Sequence, residues 1–404
     1  MSSIVFTRLR ALLGTAGVEE DPRGWPRAIP ESEEALSLVC RTAHDEGWKI
    51  RVEGRGTWLP PDAPADLALS TRELDQIVSV SPADLVATVQ AGAPLEAVRR
   101  ELAEHGVWLA LDPPGRPERT IGSILATATA GPLRHAFGPV RDHVLGCTAA
   151  TGDGRLVKAG GRVVKNVAGF DLTKLQVGGF SGFGILTEVN LRLRAVPRAD
   201  TTLIARGNRD ALTAAGRALG AAQIGVAAVE LLSPALAADS EWVLGSRFLG
   251  TEALVQAESR RLEGETPVTW QQLPVERSSS FWSLAARAAL GGPVTLRLGA
   301  LGGGLDETLD LLAETLDEGL VSAGACVGTI RWTGDASLDR LRTLRRKAAV
   351  REIPMTLERA PWAIRLPLGH FGAYREGVGQ LVERLRENFD PGHCLSVALE
   401  GSEQ

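Results

Sequence analysis

The chain has 404 residues, of which 44% are hydrophobic and 23% are charged, a balance typical of a soluble globular protein. A chain of this length and composition can bury a large core in two or three domains, which excludes intrinsic disorder as its main state. Its net charge of −5 excludes a broad basic surface for nucleic acid. The sequence contains no run of 18 apolar residues, so it predicts no transmembrane helix. A signal peptide would need an unbroken apolar run near the N-terminus, which Arg8 and Arg10 interrupt.

The four cysteines lie far apart, at Cys40, Cys147, Cys326 and Cys394. Zinc sites and iron–sulfur clusters use closely spaced pairs such as Cys-x-x-Cys, which this sequence does not contain. We therefore expect four reduced thiols in a cytosolic protein, and no metal site.

The segment from residue 33 to residue 105 alternates helical and strand patterns. Apolar residues at helical spacing predict a helix over 33–46, and Pro94 and Gly106 delimit a second helix over 94–105. Strands are predicted at 49–52, 67–69, 77–80 and 86–90. This mixture indicates a compact α+β unit.

Glycine is concentrated in the next segment, with 14 glycines among the 70 positions of 115–184. Gly152-Asp153-Gly154 predicts a tight hairpin between two strands. The predicted elements are helices at 121–129 and 171–177 and strands at 144–150, 156–159 and 185–196.

From residue 199 onward, alternating strands and helices predict a second α+β domain. Its predicted strands are 201–206, 226–232, 242–248, 294–299, 325–331 and 362–366. Its predicted helices are 209–220, 251–263, 280–290, 305–319 and 336–350, and a last helix follows at 372–388.

Two short motifs favour phosphate binding. Gly54-Arg55-Gly56-Thr57 follows a predicted strand, where small residues let backbone N–H groups approach an anion, although an ordinary turn is the alternative. Thr120-Ile121-Gly122-Ser123 opens a predicted helix, whose N-terminus would attract a phosphate unless Thr120 or Ser123 simply caps it. Neither G-x-G-x-x-G nor G-x-x-x-x-G-K-[ST] occurs here, so a bound nucleotide would not be held as in a Rossmann fold or a P-loop.

The most specific motif covers residues 160–197, which read GGRVVKNVAGFDLTKLQVGGFSGFGILTEVNLRLRAVP. Within it, residues 163–172 and 184–188 resemble the motifs of the FAD-binding E subunits of glycolate oxidase. That family belongs to the vanillyl-alcohol oxidase/p-cresol methylhydroxylase (PCMH-type) flavoprotein superfamily. Further similar pieces occur upstream in the same order, at 84–85, 88–93, 111–114, 120–122, 131–132, 138 and 141–142.

The resemblance implies an α+β fold in which two α+β subdomains bracket an extended FAD. The PCMH-type FAD-binding domain would cover residues 1–198, with subdomains at roughly 1–105 and 106–198. An inserted α+β cap or substrate domain would cover 199–370. A C-terminal segment, 371–404, would then return to the FAD-binding domain.

The resemblance also assigns contacts with FAD. It places the pyrophosphate at the 53–57 turn, the diphosphate and flavin along 113–123, the isoalloxazine near 126–131 and the adenine or ribitol end along 182–185. The residues expected to bind FAD are Glu53, Gly54, Arg55, Gly56, Thr57, Pro113, Pro114, Thr120, Gly122, Ser123, Thr127, Gly131, Gly184 and Ile185. Lys165 and Asn166 either serve this site or only brace a loop.

Four residues depart from the family pattern. Glu53 precedes the turn, where a carboxylate would repel a phosphate, and Arg55 interrupts its glycines but could compensate as a phosphate partner. Ser123 stands where a second Gly is common, and Ala128 where an Asn is common. The first turn contains no His that could bond covalently to a flavin, so we expect non-covalent FAD.

The function implied is that of the FAD-binding subunit of a glycolate oxidase-like complex, which oxidises a small 2-hydroxy acid and passes electrons to a partner. The implied partners are a sister flavoprotein subunit and an iron–sulfur subunit, in a complex that is cytoplasmic or peripheral at the inner membrane. A scaffold subunit that has lost FAD is the alternative, and a free-standing flavin oxidase is a third hypothesis.

The sequence does not identify a catalytic residue. Oxidation of a 2-hydroxy acid needs a cation for the carboxylate and a base for the hydroxyl proton. Arg297, Arg331 and Arg365 are candidates for the cation, and His370 and His393 for the base. Because the predicted cap contains a single His, no metal site is indicated there.

Overall fold

The computed structural model describes residues 2–60, 62–162, 171–300, 304–372 and 376–395. Within these residues the strands form sheets of four, five and eight strands and one two-stranded ribbon. Most of the motif at 163–172, including Lys165 and Asn166, lies outside the described residues, as does the tail from residue 396.

The first sheet has four strands in the order β1-β2-β4-β3. Its elements are α1 Ser2–Leu13, β1 Val18–Glu20, β2 Pro26–Ala28, α2 Glu33–Glu46, β3 Ile50–Glu53 and β4 Leu67–Ser70. The Ser32 hydroxyl caps α2 by accepting the N–H of Ala35, and Gly47 ends the helix in the left-handed conformation. Strand β3 pairs with β4 in parallel and ends at Glu53. The glycine-rich turn follows directly.

The second sheet is antiparallel, with five strands in the order β5-β6-β10-β8-β9. The elements of this region are β5 Ile77–Ser81, β6 Val86–Gln90, α3 Leu95–Glu104, β7 Val107–Trp108, α4 Ile121–Thr127, α5 Arg134–Phe137, β8 Val144–Ala150, β9 Leu156–Gly160, α6 Leu172–Gln176, β10 Ile185–Arg192 and β11 Arg194–Ala195. The strand predicted at 185–196 is therefore two strands, because β11 leaves the sheet to pair with β7.

The third sheet has eight strands in the order β15-β12-β14-β13-β17-β18-β16-β19. Its region contains β12 Ala199–Gly207, α7 Arg209–Ala221, β13 Ala228–Leu232, α8 Pro234–Ala237, β14 Trp242–Gly250, α9 Glu252–Glu265, β15 Gln271–Gln272, α10 Val275–Arg287, β16 Val294–Gly299, α11 Leu305–Thr315, β17 Leu320–Gly324, β18 Thr329–Gly334, α12 Leu338–Val350, β19 Met355–Arg359 and α13 Trp362–Leu368. The last helix is α14 Val378–Phe389.

The two faces of the third sheet differ in chemistry. One face packs its apolar side chains against α7, α9, α11 and α12. The charged residues Glu230, Arg297 and Arg331 alternate along their strands with buried apolar neighbours, so the two-residue period places them on the opposite face. Leu133 and Phe137, which come from the region of the second sheet, pack with apolar residues of that same face.

Of two predicted strands in this region, the one at 325–331 is displaced, since the observed strand is β18 Thr329–Gly334, and the one at 362–366 is wrong. Residues 325–328 form the turn between β17 and β18 rather than the start of a strand. Residues 362–366 lie in α13, which begins directly after Pro361 and keeps Pro367 in its last turn. A short apolar run does not by itself distinguish a strand from a helix, and here the flanking prolines favour the helical turn.

The C-terminal part of the described chain returns to the first sheet. The N–H of Ile50 donates to the carbonyl of Cys394, and Lys49 Nζ donates to the carbonyl of His393. The Asp390 carboxylate fixes this turn by accepting the N–H groups of Cys394 and Leu395. No helix within the described residues is long and apolar enough to cross a membrane.

Glu230 gives the third sheet a pH-dependent stability. Its carboxyl is 5% exposed and lies beside the Ser322 hydroxyl, and burial raises its pKa to about 8. Between its ordinary pKa and about 8 the folded protein holds a proton that the unfolded chain releases. Stability therefore falls as pH rises through this range, at up to roughly 1.4 kcal/mol per pH unit.

We expect Glu230→Gln to remove this dependence, because an amide does not ionise. Chemical denaturation from pH 5 to pH 9 should show the variant gaining stability relative to the parent protein as the pH rises. Glu263→Gln, at an exposed position of α9, is the matched control and should track the parent protein. A constant difference between Glu230→Gln and the parent at all pH values would contradict the assignment.

Candidate functional site

A cleft opens where the first sheet, α4 and the segment before β10 meet. It encloses about 840 Å3 when space open to solvent is included. Its walls are formed by Arg51, Val52, Glu53, Gly54, Arg55, Gly56, Thr57, Trp58, Leu59, Pro60, Thr71, Gly122, Ser123, Ala126, Thr127, Phe180, Ser181, Ile185, Leu186 and Arg365.

The turn after β3 presents unpaired backbone donors to this cleft. Among the described residues, the N–H groups of Gly54, Arg55, Gly56 and Thr57 donate to no protein acceptor. A Cβ on Gly54 would lie 2.3 Å from Thr120 Oγ1, and Gly56 has a φ of +66°. Glycine is therefore required at both positions, and the turn forms a concave set of donors of the kind that binds phosphate oxygens.

Glu53 and Arg55 do not have the roles expected from their positions. Arg27 Nε lies 2.6 Å from Glu53 Oε1 and Arg51 Nε lies 3.6 Å from Glu53 Oε2, so the carboxylate is neutralised inside the protein. Arg55 is outside the left-handed region, and its guanidinium pairs with Asp75 at 3.0 Å. The departure at Arg55 therefore costs no backbone strain, because Gly56 takes the left-handed position.

The N-terminus of α4 is already satisfied by protein groups. The N–H groups of Ile121 and Gly122 donate to the carbonyls of Ala93 and Ala91, and that of Ser123 donates to the Thr120 hydroxyl. The expectation that this helix start offers free donors to a phosphate is therefore wrong. Thr120 is a simple cap, and Gly122 and Ser123 contribute to the cleft as small wall residues.

The loop after α4 is held by arginines from both sides. Ala128 adopts the left-handed conformation at the end of the helix, where an Asn would be less strained. Arg297 Nη1 donates to the carbonyl of Ala128 at 3.2 Å, and Arg331 Nη2 donates to that of Ala130 at 3.3 Å. Arg119, 1% exposed, donates to Thr127 Oγ1 at 2.6 Å. The third sheet thus fixes a loop beside the cleft.

The far wall of the cleft is the segment before β10. The N–H of Phe180 donates to the carbonyl of Ala126, and Phe180 and Ser181 both have positive φ angles, of 50° and 65°. Two successive non-glycine residues in this region store backbone strain of about 1 to 2 kcal/mol each. The Phe180 ring packs against the His370 ring at 4.3 Å, which joins this wall to the third-sheet region.

The expected FAD-binding residues fall into two groups. Those that line the cleft are Glu53, Gly54, Arg55, Gly56, Thr57, Gly122, Ser123, Thr127 and Ile185. Those that do not line it are Pro113, Pro114, Thr120, Gly131 and Gly184. Gly131 shows why such positions matter, since a Cβ there would lie 1.9 Å from the carbonyl oxygen of Asp112.

The sequence did not indicate several of the residues that line the cleft, among them Arg51, Trp58 and Phe180. Arg365 was considered only as a candidate for binding the substrate carboxylate, not as a residue of this cleft. Arg51 and Trp58 flank the glycine-rich turn in sequence, and this proximity could have indicated that they line the cleft. Arg365 comes from a region more than 300 positions away, and no local pattern connects it with the turn.

The candidate catalytic side chains are mostly engaged elsewhere. Arg331 pairs with Glu358 at 2.7 Å, Arg297 approaches the same carboxylate at 3.5 Å, and Arg365 pairs with Asp62 at 2.5 Å. The His370 ring is buried with Nδ1 2.6 Å from the carbonyl of Leu357, and burial lowers its pKa to about 4. In the part of the chain that the structure describes, no group of three or more His, Cys, Asp or Glu residues could hold a metal ion.

Comparison with known sequences identifies the N-terminal part of the chain. Residues 27–160 match the family described as FAD binding domain. Glycolate oxidase subunit GlcE of Escherichia coli strain K12 is 41% identical over 128 residues, which are 31% of this chain and 37% of that protein. D-2-hydroxyglutarate dehydrogenase of Xanthomonas citri pv. viticola is 31% identical over 208 residues, 48% of this chain and 44% of that protein.

A further relative is glycolate oxidase subunit GlcD of Bacillus subtilis strain 168, 30% identical over 179 residues, 44% of this chain and 38% of that protein. The matches thus span less than half the length of each of these three relatives. Among solved structures, p-cresol methylhydroxylase with substrate bound superposes with a TM-score of 0.76 at 12% identity, covering 98% of this chain and 97% of that one. At this identity the likeness shows the fold alone.

Thr57→Trp tests whether the cleft receives the cofactor. The indole would fill the space in front of the unpaired N–H groups, so we expect FAD binding by the apoprotein to weaken at least tenfold, about 1.4 kcal/mol. Flavin fluorescence titration measures this directly. Thr15→Trp, at an exposed turn position, is the control for introducing an indole and should bind FAD normally. Unchanged affinity in Thr57→Trp would mean that the cofactor lies elsewhere.

The residues present fit FAD. Unpaired N–H groups stand at a turn where a Cβ would close the approach, and Glu53, the one carboxylate in the cleft wall, is neutralised. Most of the residues that line the cleft lie in the matched segment, and 98% of the chain superposes on p-cresol methylhydroxylase. Residues 27–160 therefore match a family described as FAD binding domain, in a chain with the fold of p-cresol methylhydroxylase.

Proposed function

We propose that this chain is the FAD-binding subunit of a glycolate oxidase-like complex, in which electrons from a 2-hydroxy acid reach FAD and then a partner subunit. The observation that carries the proposal is the set of unpaired N–H groups at 54–57, inside a domain similar to that of GlcE. The cofactor is proposed to be non-covalent, and of the fourteen residues named from the sequence, the nine that line the cleft are proposed to contact it.

The proposed partners are a sister flavoprotein subunit and an iron–sulfur subunit. The names of GlcE and GlcD, both subunits of glycolate oxidase, support this part of the proposal. The proposed complex is cytoplasmic, or peripheral at the inner membrane through those partners.

The proposed domain organisation follows the sheets. The first two sheets form the FAD-binding domain over 1–198, the third sheet and its helices form the cap over 199–370, and 371–404 returns to the FAD-binding domain. The bonds from Ile50 to Cys394 and from Lys49 to His393 support the last of these statements.

The substrate carboxylate needs a cation that the protein does not already neutralise. Arg134 is half-buried and donates from Nη1 to Thr329 Oγ1 at 3.2 Å, and no described carboxylate lies within ion-pair distance of it. Thr329 lies two residues before Arg331 on β18 and pairs with Gly299, two residues after Arg297 on β16. This arrangement gathers three guanidinium groups near one another, and burial and these neighbouring cations lower the pKa of Arg134.

An acid substrate would relieve this repulsion. We therefore assign Arg134, rather than Arg297 or Arg331, to the carboxylate, because the other two are bonded to Glu358 and to the loop carbonyls. Bound FAD supplies the hydride acceptor. The role of Arg134 is to orient the acid at the interface between the second and third sheets.

The second candidate function is a scaffold subunit without FAD, for which Glu53, Arg55 and Ala128 were the motivation. In the structure Glu53 is paired, Arg55 points to Asp75 and Ala128 is accommodated at the end of α4. None of the three obstructs the cleft, so the FAD-binding function is favoured.

Measurements on the purified chain distinguish the FAD-binding subunit from the scaffold without FAD. An absorbance spectrum after denaturation and filtration gives both the flavin content and its covalency, and released FAD near one per chain is expected. Anaerobic addition of glycolate or D-lactate to the chain, alone and together with the proposed partner subunits, should then bleach the flavin band. A flavin that no 2-hydroxy acid reduces in either preparation would overturn the proposed activity.

Arg134→Gln tests the carboxylate site. Losing a charge-assisted hydrogen bond worth about 1.5 to 3 kcal/mol should raise the substrate concentration for half-maximal flavin reduction by roughly 10- to 100-fold. Arg141→Gln, an exposed neighbour, is the matched control and should change it little. FAD content should be the same in both variants. Equal effects of the two substitutions would show that Arg134 acts only through the overall positive charge of this region and not by direct contact with the substrate carboxylate.

A further inference from the structure

Arg365 is a buried cation that the third-sheet region contributes to the cofactor cleft. It lies on α13, its side chain is 5% exposed, and it lines the same cleft as the turn at 54–57. A cation so deeply buried needs acceptors for its five N–H groups.

The described residues satisfy only part of this need. Nη2 of Arg365 donates to Asp62 Oδ1 at 2.5 Å and to the carbonyl of Pro60 at 3.3 Å. Nε is buried and has no hydrogen-bond partner, and Nη1 donates to no described acceptor. Asp62 thus fixes the guanidinium through Nη2, and because Nε is itself buried, Nη1 is the donor left for a ligand.

A second arginine faces the same cleft from the first sheet. Arg51 is 8% exposed and is anchored by Asp21 at 2.7 Å, and its Nε forms no hydrogen bond but lies 3.6 Å from Glu53 Oε2. Burial lowers the pKa of Arg365, and the positive charge of Arg51 contributes to that lowering. Each of the two arginines is paired with an aspartate, so the match to an anion comes from hydrogen-bond donors rather than from net charge. These guanidinium donors and the unpaired N–H groups at 54–57 suit an anion with several oxygens.

We propose that Arg365 is a ligand of the FAD pyrophosphate supplied by the cap, and that Asp62 is the positioning residue that holds it there. The proposal rests on the cofactor and not on the substrate, so it is independent of which acid is oxidised. Because Arg365 belongs to the third-sheet region, cofactor binding and the packing of that region on the FAD-binding domain are then thermodynamically linked.

The structure offers a matched control in Arg359. This arginine also bridges the same two regions, since its Nε donates to the carbonyl of Trp58 at 3.2 Å and its Nη1 to that of Gly292 at 2.6 Å. Its side chain is not part of the cleft wall. Substituting Arg359 therefore loosens the interface without removing a cleft cation.

The experiment compares Arg365→Gln, Arg365→Lys and Arg359→Gln as full-length apoproteins. FAD affinity is measured by flavin fluorescence titration, and the Tm of each protein is measured with and without saturating FAD. We expect Arg365→Gln to weaken FAD binding 10- to 100-fold, Arg365→Lys to recover part of that loss, and Arg359→Gln to change affinity less than threefold.

The salt dependence and the Tm complete the test. The affinity of the parent protein should fall more steeply with added KCl than that of Arg365→Gln, because the variant has one fewer ionic contact with the cofactor. The FAD-induced rise in Tm should shrink in Arg365→Gln and persist in Arg359→Gln. Equal losses of affinity in the Arg365 and Arg359 variants, or unchanged affinity in Arg365→Gln, would overturn the proposal. Either result would leave the proposed oxidation of 2-hydroxy acids untouched, since that is read from flavin reduction.

Discussion

The structure depends most on one buried carboxylate, Glu358, which is 0% exposed on β19. Burial alone would raise its pKa, but the guanidinium groups of Arg331 and Arg297 hold that pKa below its usual range. With Glu358 ionised, the two arginines stay oriented toward the carbonyls of Ala130 and Ala128. Removing one partner of such a buried pair typically costs about 3 to 5 kcal/mol. This network joins the third sheet to the loop beside the cleft.

The same principle governs the cleft as a whole, where charged side chains are neutralised pairwise and backbone donors are left unpaired. Glu53 is balanced by Arg27, and Arg365 by Asp62, so the walls carry little net charge. The preference for an anion then comes from the N–H groups at 54–57, which donate to no described protein acceptor. Glu53 and Arg55 depart from the family pattern in sequence, but each forms an ion pair within the protein, so neither opposes FAD binding.

Local chemistry made much of the fold predictable. The helix at 33–46 was predicted correctly from the spacing of its apolar residues, and in the structure Ser32 and Gly47 cap it. The hairpin around Asp153 followed from its flanking glycines. The errors fell where local preference is weak. The run 362–366 is too short to distinguish helix from strand, and the helix predicted from 372 begins only at Val378, after Gly377 in the left-handed conformation.

The sequence by itself determined the α+β class, the FAD-binding domain and the turn at 54–57, because glycine spacing and ordered motifs are local properties of the chain. Only the tertiary structure decided how the charges are used. It closed the N-terminus of α4 with the carbonyls of Ala91 and Ala93, and it brought Arg365 to a turn 300 positions earlier. Partner choice for a buried charge is set by burial and distance across sheets, and neither is encoded in the spacing of residues along one strand or helix.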